Sequence, residues 1–78
     1  MTDMIPPADD RETARQIAAA HTAASRDVEA FLRQVPELPS PEDVAEYAAL
    51  LAREEALRTE RTDAAEAAGL GVPTIGGA

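Results

Sequence analysis

The segment Val35-Pro36-Glu37-Leu38-Pro39-Ser40-Pro41-Glu42-Asp43 decides the fold of this chain, because its three prolines separate two long stretches of helix-forming sequence. Pro36 lacks a backbone N–H and disfavours the helical conformation at the residue before it, which is Val35. The first helix should therefore end at about Gln34. Pro39 then keeps the following residues extended.

The same segment contains the start signals of a second helix. Ser40 is a preferred N-cap residue, Pro41 suits the first helical position, and Asp43 stands at the spacing of a capping box. A second helix is therefore predicted to begin at Pro41. Because a connection of about six residues is an ordinary length for helices that turn back on each other, we predict a turn over residues 35–40 and an antiparallel helical hairpin.

Residues 9–34 form the first predicted helix, with Asp9 or Asp10 as its cap and no internal proline or glycine. Its seam positions recur in alternating steps of three and four residues, which is the a/d spacing of a coiled coil. These positions are Ala14, Ile17, His21, Ala24, Val28, Phe31 and Val35, and Leu32 widens the stripe. The fold class is therefore predicted to be all-α, a coiled-coil-like hairpin of two helices.

Residues 41–68 form the second predicted helix, whose apolar face is confined to its first half. That face comprises Val44, Tyr47, Ala48, Leu50 and Leu51. Beyond it Leu57 is the one large apolar residue, surrounded by charged side chains. Gly69 is predicted to end the helix in the left-handed conformation, with Leu70 packing back in a Schellman motif.

Folding the helices back about Leu38 gives a predicted register, in which Phe31 lies near Ala45 and His21 lies near Glu55. The large apolar side chains then gather beside the turn, whereas alanine and charged residues line the opposite end. A single two-helix interface cannot bury these side chains completely, and ordering each residue costs on the order of 1–2 kcal/mol. We therefore expect the hairpin to oligomerise or to dock on a larger complex.

Two extended arms are predicted to flank the hairpin. Residues 1–8 form the N-terminal arm, and residues 69–78 form a glycine-rich apolar tail. In the tail, Leu70, Val72 and Ile75 alternate with small residues, a pattern that suits an extended peptide docked in a groove.

The composition limits the classes of function. The chain has 78 residues, no cysteine and a formal net charge of -8, and all of its cationic side chains are arginines. Nucleic-acid binding depends on Lys and Arg contacts with phosphates, so an acidic chain argues against it. Without cysteine, disulfides and thiolate zinc sites are excluded. An amino-acid composition without lysine and rich in alanine, arginine and acidic residues is typical of high-GC genomes, such as those of actinobacteria or their phages.

The chain shows no sign of a membrane segment or a signal peptide. No apolar run approaches the roughly 18–20 residues that a membrane span requires, and residues 1–7 lack both a basic start and an apolar core. The expected location is therefore cytoplasmic, or the virion if the chain is phage-encoded.

His21 is the single histidine of the chain and falls in the predicted seam. Opposite Glu54 or Glu55, we interpret it as a polar contact that fixes the register of the helices. The Glu-x-x-His motif of di-iron helical bundles is missing, because Ala18 precedes His21 by three residues and Leu57 follows Glu54 by three. We predict no catalytic, cofactor-binding or metal-ligating residue and no cofactor.

The turn and the start of the second helix carry a cluster of acids, which we call the acidic tip. Its members are Glu37, Glu42, Asp43 and Glu46, and no arginine lies among them. One interpretation is capping combined with a solvated helix start. The other is a docking patch for a basic partner, where opposite potentials raise the association rate and select the orientation.

The sequence thus predicts a non-catalytic structural or interaction protein, a small subunit that binds copies of itself or a larger protein complex. A phage virion component would fit, and neither nucleic acid nor membrane is an expected partner. The predicted seam contacts are Ile17, His21, Ala24, Val28, Phe31, Tyr47, Leu51 and Leu57. The alternative is an acidic inhibitor or antitoxin-like protein that covers a basic surface of an enzyme or nucleic-acid-binding protein.

Overall fold

The computed structural model describes residues 7–71, which form two α-helices joined by a short turn. Helix α1 spans Pro7–Gln34 and helix α2 spans Pro41–Ala67. The helices pack antiparallel along their length, which confirms the predicted helical hairpin. Residues 1–6 and 72–78, to which most of the two predicted arms belong, lie outside the described residues.

The start of α2 follows the predicted capping chemistry. The Ser40 hydroxyl accepts a hydrogen bond from the backbone N–H of Asp43 at 3.1 Å. In return, the Asp43 carboxylate accepts one from the backbone N–H of Ser40 at 2.9 Å. This reciprocal pair is a capping box, and Pro41 begins the helix directly after it.

Helix α1 begins at Pro7, two residues before the predicted start. Proline is favourable at a first helical position, where its missing N–H would have no intrahelical partner. The prediction that Asp9 or Asp10 caps α1 is therefore wrong, because both lie in its first turn. There their negatively charged carboxylates interact favourably with the positive end of the helix dipole.

A Schellman motif ends α2, as predicted. Gly69 has φ +86°, and its N–H donates to the carbonyl of Glu66 at 3.0 Å. The N–H of Leu70 donates to the carbonyl of Ala65 at 2.8 Å. These are the two hydrogen bonds of the motif, which satisfy carbonyls that the helix itself leaves free.

The core of the hairpin is one narrow seam between the helices. Ala24, with 1% of its surface exposed, is the one buried residue within 9–71. The other predicted seam residues of α1 are half-buried; they are Ala14, Ile17, His21, Val28, Phe31 and Val35. The seam of α2 is formed by the half-buried residues Asp43, Tyr47, Leu50, Leu51, Glu54, Leu57, Ala64, Ala65 and Ala68.

Two aromatic rings set the register beside the turn. The rings of Phe31 and Tyr47 stack with their centroids 5.6 Å apart and an interplanar angle of 21°. The predicted neighbour of Phe31, Ala45, is exposed on α2, so that pairing is wrong by two residues. The physical reason is that two stacked rings remove more apolar area from water than one ring against a methyl group.

Three residues assigned to apolar faces by the sequence lie outside the seam. Val44 is 59% exposed, Leu32 is 53% exposed, and Ala48 is also exposed. The seam positions of α2 recur in alternating steps of three and four residues through Tyr47 and Leu50. Because Val44 and Ala48 do not fall on these steps, they lie beside the seam. Among residues 7–71, no helix combines the length and the apolar character needed to cross a bilayer.

Candidate interaction surfaces

A cluster of charged side chains, which we call the polar layer, interrupts the apolar seam. It consists of His21 from α1 and of Glu54, Arg58 and Arg61 from α2. The Nε2 atom of His21 lies 2.7 Å from Oε2 of Glu54, and only 13% of each side chain is exposed. Arg58 Nη2 donates to Glu54 Oε1 at 2.7 Å, and its Nε donates to Oε2 at 3.3 Å. The Glu54 carboxylate is therefore held from both helices.

Arg61 determines which nitrogen of the imidazole carries the proton. Its Nη1 atom lies 3.1 Å from Nδ1 of His21. Because a guanidinium has donors only, Nδ1 must be the acceptor in this contact. In this arrangement His21 is therefore the Nε2–H tautomer, which donates to Glu54.

These hydrogen bonds shift the protonation of the charged partners. The pKa of Glu54 lies below its ordinary value, chiefly because Arg58 donates to the carboxylate and secondly because His21 does. The same hydrogen bond raises the pKa of Arg58. The polar layer therefore favours the ionised form of Glu54 at neutral pH.

The chemistry of the polar layer suits a positioning role. Both ring nitrogens of His21 are engaged, and both oxygens of Glu54 accept hydrogen bonds from the facing groups. Within residues 7–71, no three His, Asp or Glu side chains are grouped as a metal site would require. A polar contact of this kind within an apolar seam fixes which residues of two helices face each other.

The two sides of the hairpin differ in character. We call one side the polar face. Each of its residues directly precedes a seam position in the sequence. There Arg53 Nη1 lies 3.4 Å from Asp27 Oδ2, and both side chains are more than half exposed. The other exposed members of the polar face are Thr13, Gln34, Glu46, Glu60 and Ala67.

We call the opposite side the groove face. Within each helix its residues recur every seven positions, and each stands directly after a seam position. Its members are Arg11, Ala18, Ser25 and Leu32 of α1 and Val44, Leu51, Arg58 and Ala65 of α2. No acidic side chain occurs among these eight. The groove face therefore offers small and apolar side chains along its middle and tip, and arginines at its other end.

One cleft of the groove face lies at the tip, beside the turn. It has a volume of about 170 Å³. Leu32 and Val44 line it together with the stacked pair Phe31 and Tyr47. Val35, Pro39 and Asp43 complete the lining. This tip cleft is almost entirely apolar.

Two further clefts lie where the helices are farthest from the turn, which we call the open end. Their volumes are about 460 and 350 Å³, and they share the lining residues Arg61, Ala65 and Leu70. Four of the seven arginines of the chain line these clefts; they are Arg11, Arg15, Arg58 and Arg61. The clefts of the open end therefore hold a cluster of arginines together with the acidic Glu66.

The structure brings the predicted seam residues together, although they hold the helices against each other rather than being presented to a partner. Ile17, Ala24, Val28 and Leu57 are buried or half-buried within residues 9–71. Leu51 belongs both to the seam and to the groove face.

The acidic tip is only partly available for binding. Glu37, Glu42 and Glu46 are exposed. Asp43 is half-buried and engaged with Ser40 in the capping box, so it serves the helix start instead.

Of the predicted tail contacts, Leu70 is 61% exposed and lines both clefts of the open end. Val72 and Ile75 lie outside the described residues. The prediction had overlooked the groove face with its arginine-lined end. Seven-residue steps taken from Leu32 along the first helix and from Val44 along the second would have indicated it.

Comparisons of the chain with protein-family models, with curated proteins and with solved structures found no match. The geometry of the hairpin therefore carries the functional argument.

Proposed function

We propose that this protein is a non-catalytic interaction protein, whose hairpin packs with copies of itself or as a small subunit within a larger protein assembly. The observation that carries the proposal is the imbalance between the buried and the exposed apolar residues. Only Ala24 is buried within residues 9–71, whereas four large apolar side chains are 53–90% exposed. These four are Leu32, Leu38, Val44 and Leu70.

The energetic consequence follows from the size of the seam. Burying a large apolar side chain completely contributes about 1.5–3 kcal/mol, but half-buried seam residues provide only part of that amount. Ordering each backbone residue costs on the order of 1–2 kcal/mol, which a single helix–helix contact offsets poorly. A second surface that covers the exposed leucines and valine would supply the missing burial.

The composition supports a narrower version of the same proposal. A lysine-free, alanine-rich and arginine-rich chain is typical of high-GC genomes, and a virion or accessory subunit of an actinobacterial phage is an assembly in which such a hairpin would serve. The assembly role itself rests on the exposed apolar surface and not on this origin.

The proposal is tested by measuring the mass of the chain in solution together with its helicity by circular dichroism at low micromolar concentration. We expect either a mass that is a multiple of 8.2 kDa or an incompletely helical monomer that waits for another subunit. A fully helical and stable monomer would contradict the proposal, because it would show that the hairpin needs no partner.

One observation favours a second function, that of an acidic inhibitor or antitoxin-like protein. Leu38 is 90% exposed at the turn, between the exposed acids Glu37 and Glu42. An exposed apolar side chain flanked by acidic residues is suited to binding a basic surface on an enzyme or nucleic-acid-binding protein. Changing Glu42 and Glu46 to Gln should abolish partner binding under this function. Under the assembly proposal, those changes should leave partner binding largely intact.

A further inference from the structure

We infer that the groove face is the interface with a second copy of this chain, packed antiparallel so that the tip of each copy lies on the open end of the other. This inference rests on the proposed function and specifies its partner and orientation. The resulting dimer is a four-helix bundle of two hairpins.

The groove face carries an apolar stripe that begins at the tip. Leu32 and Val44, which are more than half exposed, stand on the groove face at the tip. Between the tip and the open end the face continues with Ser25, Leu51 and Ala18. The small side chains of Ser25 and Ala18 let a second pair of helices approach closely. The polar face, with its Asp27–Arg53 ion pair, lacks such a stripe.

The groove face is large enough for a stable interface. A helix of 28 residues is roughly 42 Å long, and two packed helices are roughly 20 Å wide. The groove face therefore offers on the order of 800 Å² per copy, which is the area that each partner of a stable protein dimer buries. A face of this extent suits a partner of equal length, such as a second hairpin.

The two ends of the groove face differ in charge. Arg11 and Arg15 line its cleft at the open end, where Arg15 also pairs with Glu12, whereas Glu29 and Glu37 lie toward the tip. A parallel pair of hairpins would place arginines against arginines and acids against acids. An antiparallel pair places opposite charges together at both ends, which selects that orientation.

Leu70 provides an apolar side chain at the open end, where it is 61% exposed. In the antiparallel dimer, the Leu70 of the second copy stands at the level of the tip cleft.

The test of the interface compares two variants of the full chain by sedimentation equilibrium. Leu32→Glu with Val44→Glu adds two negative charges to the groove face. Gln34→Glu with Ala49→Glu adds the same charge to exposed positions away from it. We expect a dimer, twice 8.2 kDa, for the wild type and the Gln34/Ala49 control. For the groove variant, we expect a dissociation constant raised at least 100-fold. An unchanged mass of the groove variant would overturn the inference.

The test of the orientation uses charge reversal. Arg11→Glu with Arg15→Glu, and separately Glu29→Arg with Glu37→Arg, should each weaken the antiparallel dimer at least tenfold. All four changes combined should restore it, because opposite charges then meet again. If each pair of changes alone leaves the dissociation constant unaltered, the antiparallel orientation is wrong.

The outcomes also separate this inference from the proposed function. An oligomer that survives the groove variant, or an incompletely helical monomer, would refute the inference and leave the assembly role intact. A fully helical monomer would refute both.

Discussion

The imidazole Nε2 of His21 donates a hydrogen bond of 2.7 Å to Oε2 of Glu54 across the seam between the helices. Arg58 holds the same carboxylate from within α2, and Arg61 faces Nδ1 of the imidazole. These contacts join His21 of α1 to a hydrogen-bonded group of Glu54, Arg58 and Arg61 on α2. Since the surrounding seam residues are small or only half-buried, these contacts and the Phe31–Tyr47 stack together determine the register of the hairpin.

The polar layer should make the stability of the protein depend on acid. The folded state lowers the pKa of Glu54 below its ordinary value of 4.5, chiefly through Arg58. Its contribution to stability is therefore present above pH 4.5 and is lost as the pH falls through the lower, folded value. We expect thermal unfolding followed from pH 7 to pH 3 to show this loss in the wild type.

The matched variants for that measurement are Glu54→Gln and Glu55→Gln, which each remove one carboxylate from neighbouring positions of α2. Glu54→Gln should lower the melting temperature at pH 7 and reduce its further fall in acid. Glu55→Gln should retain the acid dependence of the wild type. Equal pH profiles for the two variants would show that the polar layer contributes no linkage.

The aromatic stack should carry much of the stability beside the turn. Phe31→Ala removes a half-buried ring from its contact with Tyr47, and we expect a loss of about 2 kcal/mol in the free energy of unfolding. Tyr47→Phe preserves both rings and should change stability by less than about 0.5 kcal/mol. Urea denaturation at a fixed protein concentration measures both. A loss for Phe31→Ala no larger than that for Tyr47→Phe would contradict this role.

The end of α2 should depend on the backbone conformation of Gly69. An added Cβ would meet no heavy atom within 4 Å, so the cost of Gly69→Ala comes from its φ of +86° and not from a clash. We expect a loss of about 1 kcal/mol for alanine. Gly69→Asn should cost less, because asparagine tolerates the left-handed region better. Equal losses for the two variants in thermal unfolding would rule out this explanation.

The start of α2 should depend on the capping box. Ser40→Ala removes the acceptor for the Asp43 N–H, and we expect a loss of about 1 kcal/mol in the free energy of unfolding. Ser40→Thr keeps a hydroxyl at the N-cap and should recover most of that loss. Chemical denaturation measures the free energy of unfolding of both variants. A loss for Ser40→Thr as large as that for Ser40→Ala would contradict this role of the capping box.

The helix ends were predictable because local chemistry determines them. Pro36, the capping box of Ser40 with Asp43, and Gly69 each act on their immediate neighbours, and the structure shows each of these signals in use. The start of α1 was missed because the prediction placed its cap at Asp9 or Asp10 and assigned residues 1–8 to an extended arm, although proline is favourable at the first helical position.

The packing of the helices was only partly predictable. The three-and-four spacing identified the seam of α1. The register, however, depended on which side chain of α2 packs opposite each seam residue of α1. The turn midpoint suggested Ala45 opposite Phe31, whereas the Tyr47 ring occupies that layer. The groove face was overlooked because Leu32 and Val44 had been assigned to the seam, so no large apolar residue remained to indicate a second surface.

Sedimentation equilibrium of the unmodified chain over a range of micromolar concentrations, with circular dichroism of the same samples, tests the central claim most directly. We predict a reversible dimer of two 8.2 kDa chains, with helicity that falls as dilution dissociates it. A mass of 8.2 kDa with full, concentration-independent helicity would contradict it, since the hairpin would then be complete without a partner.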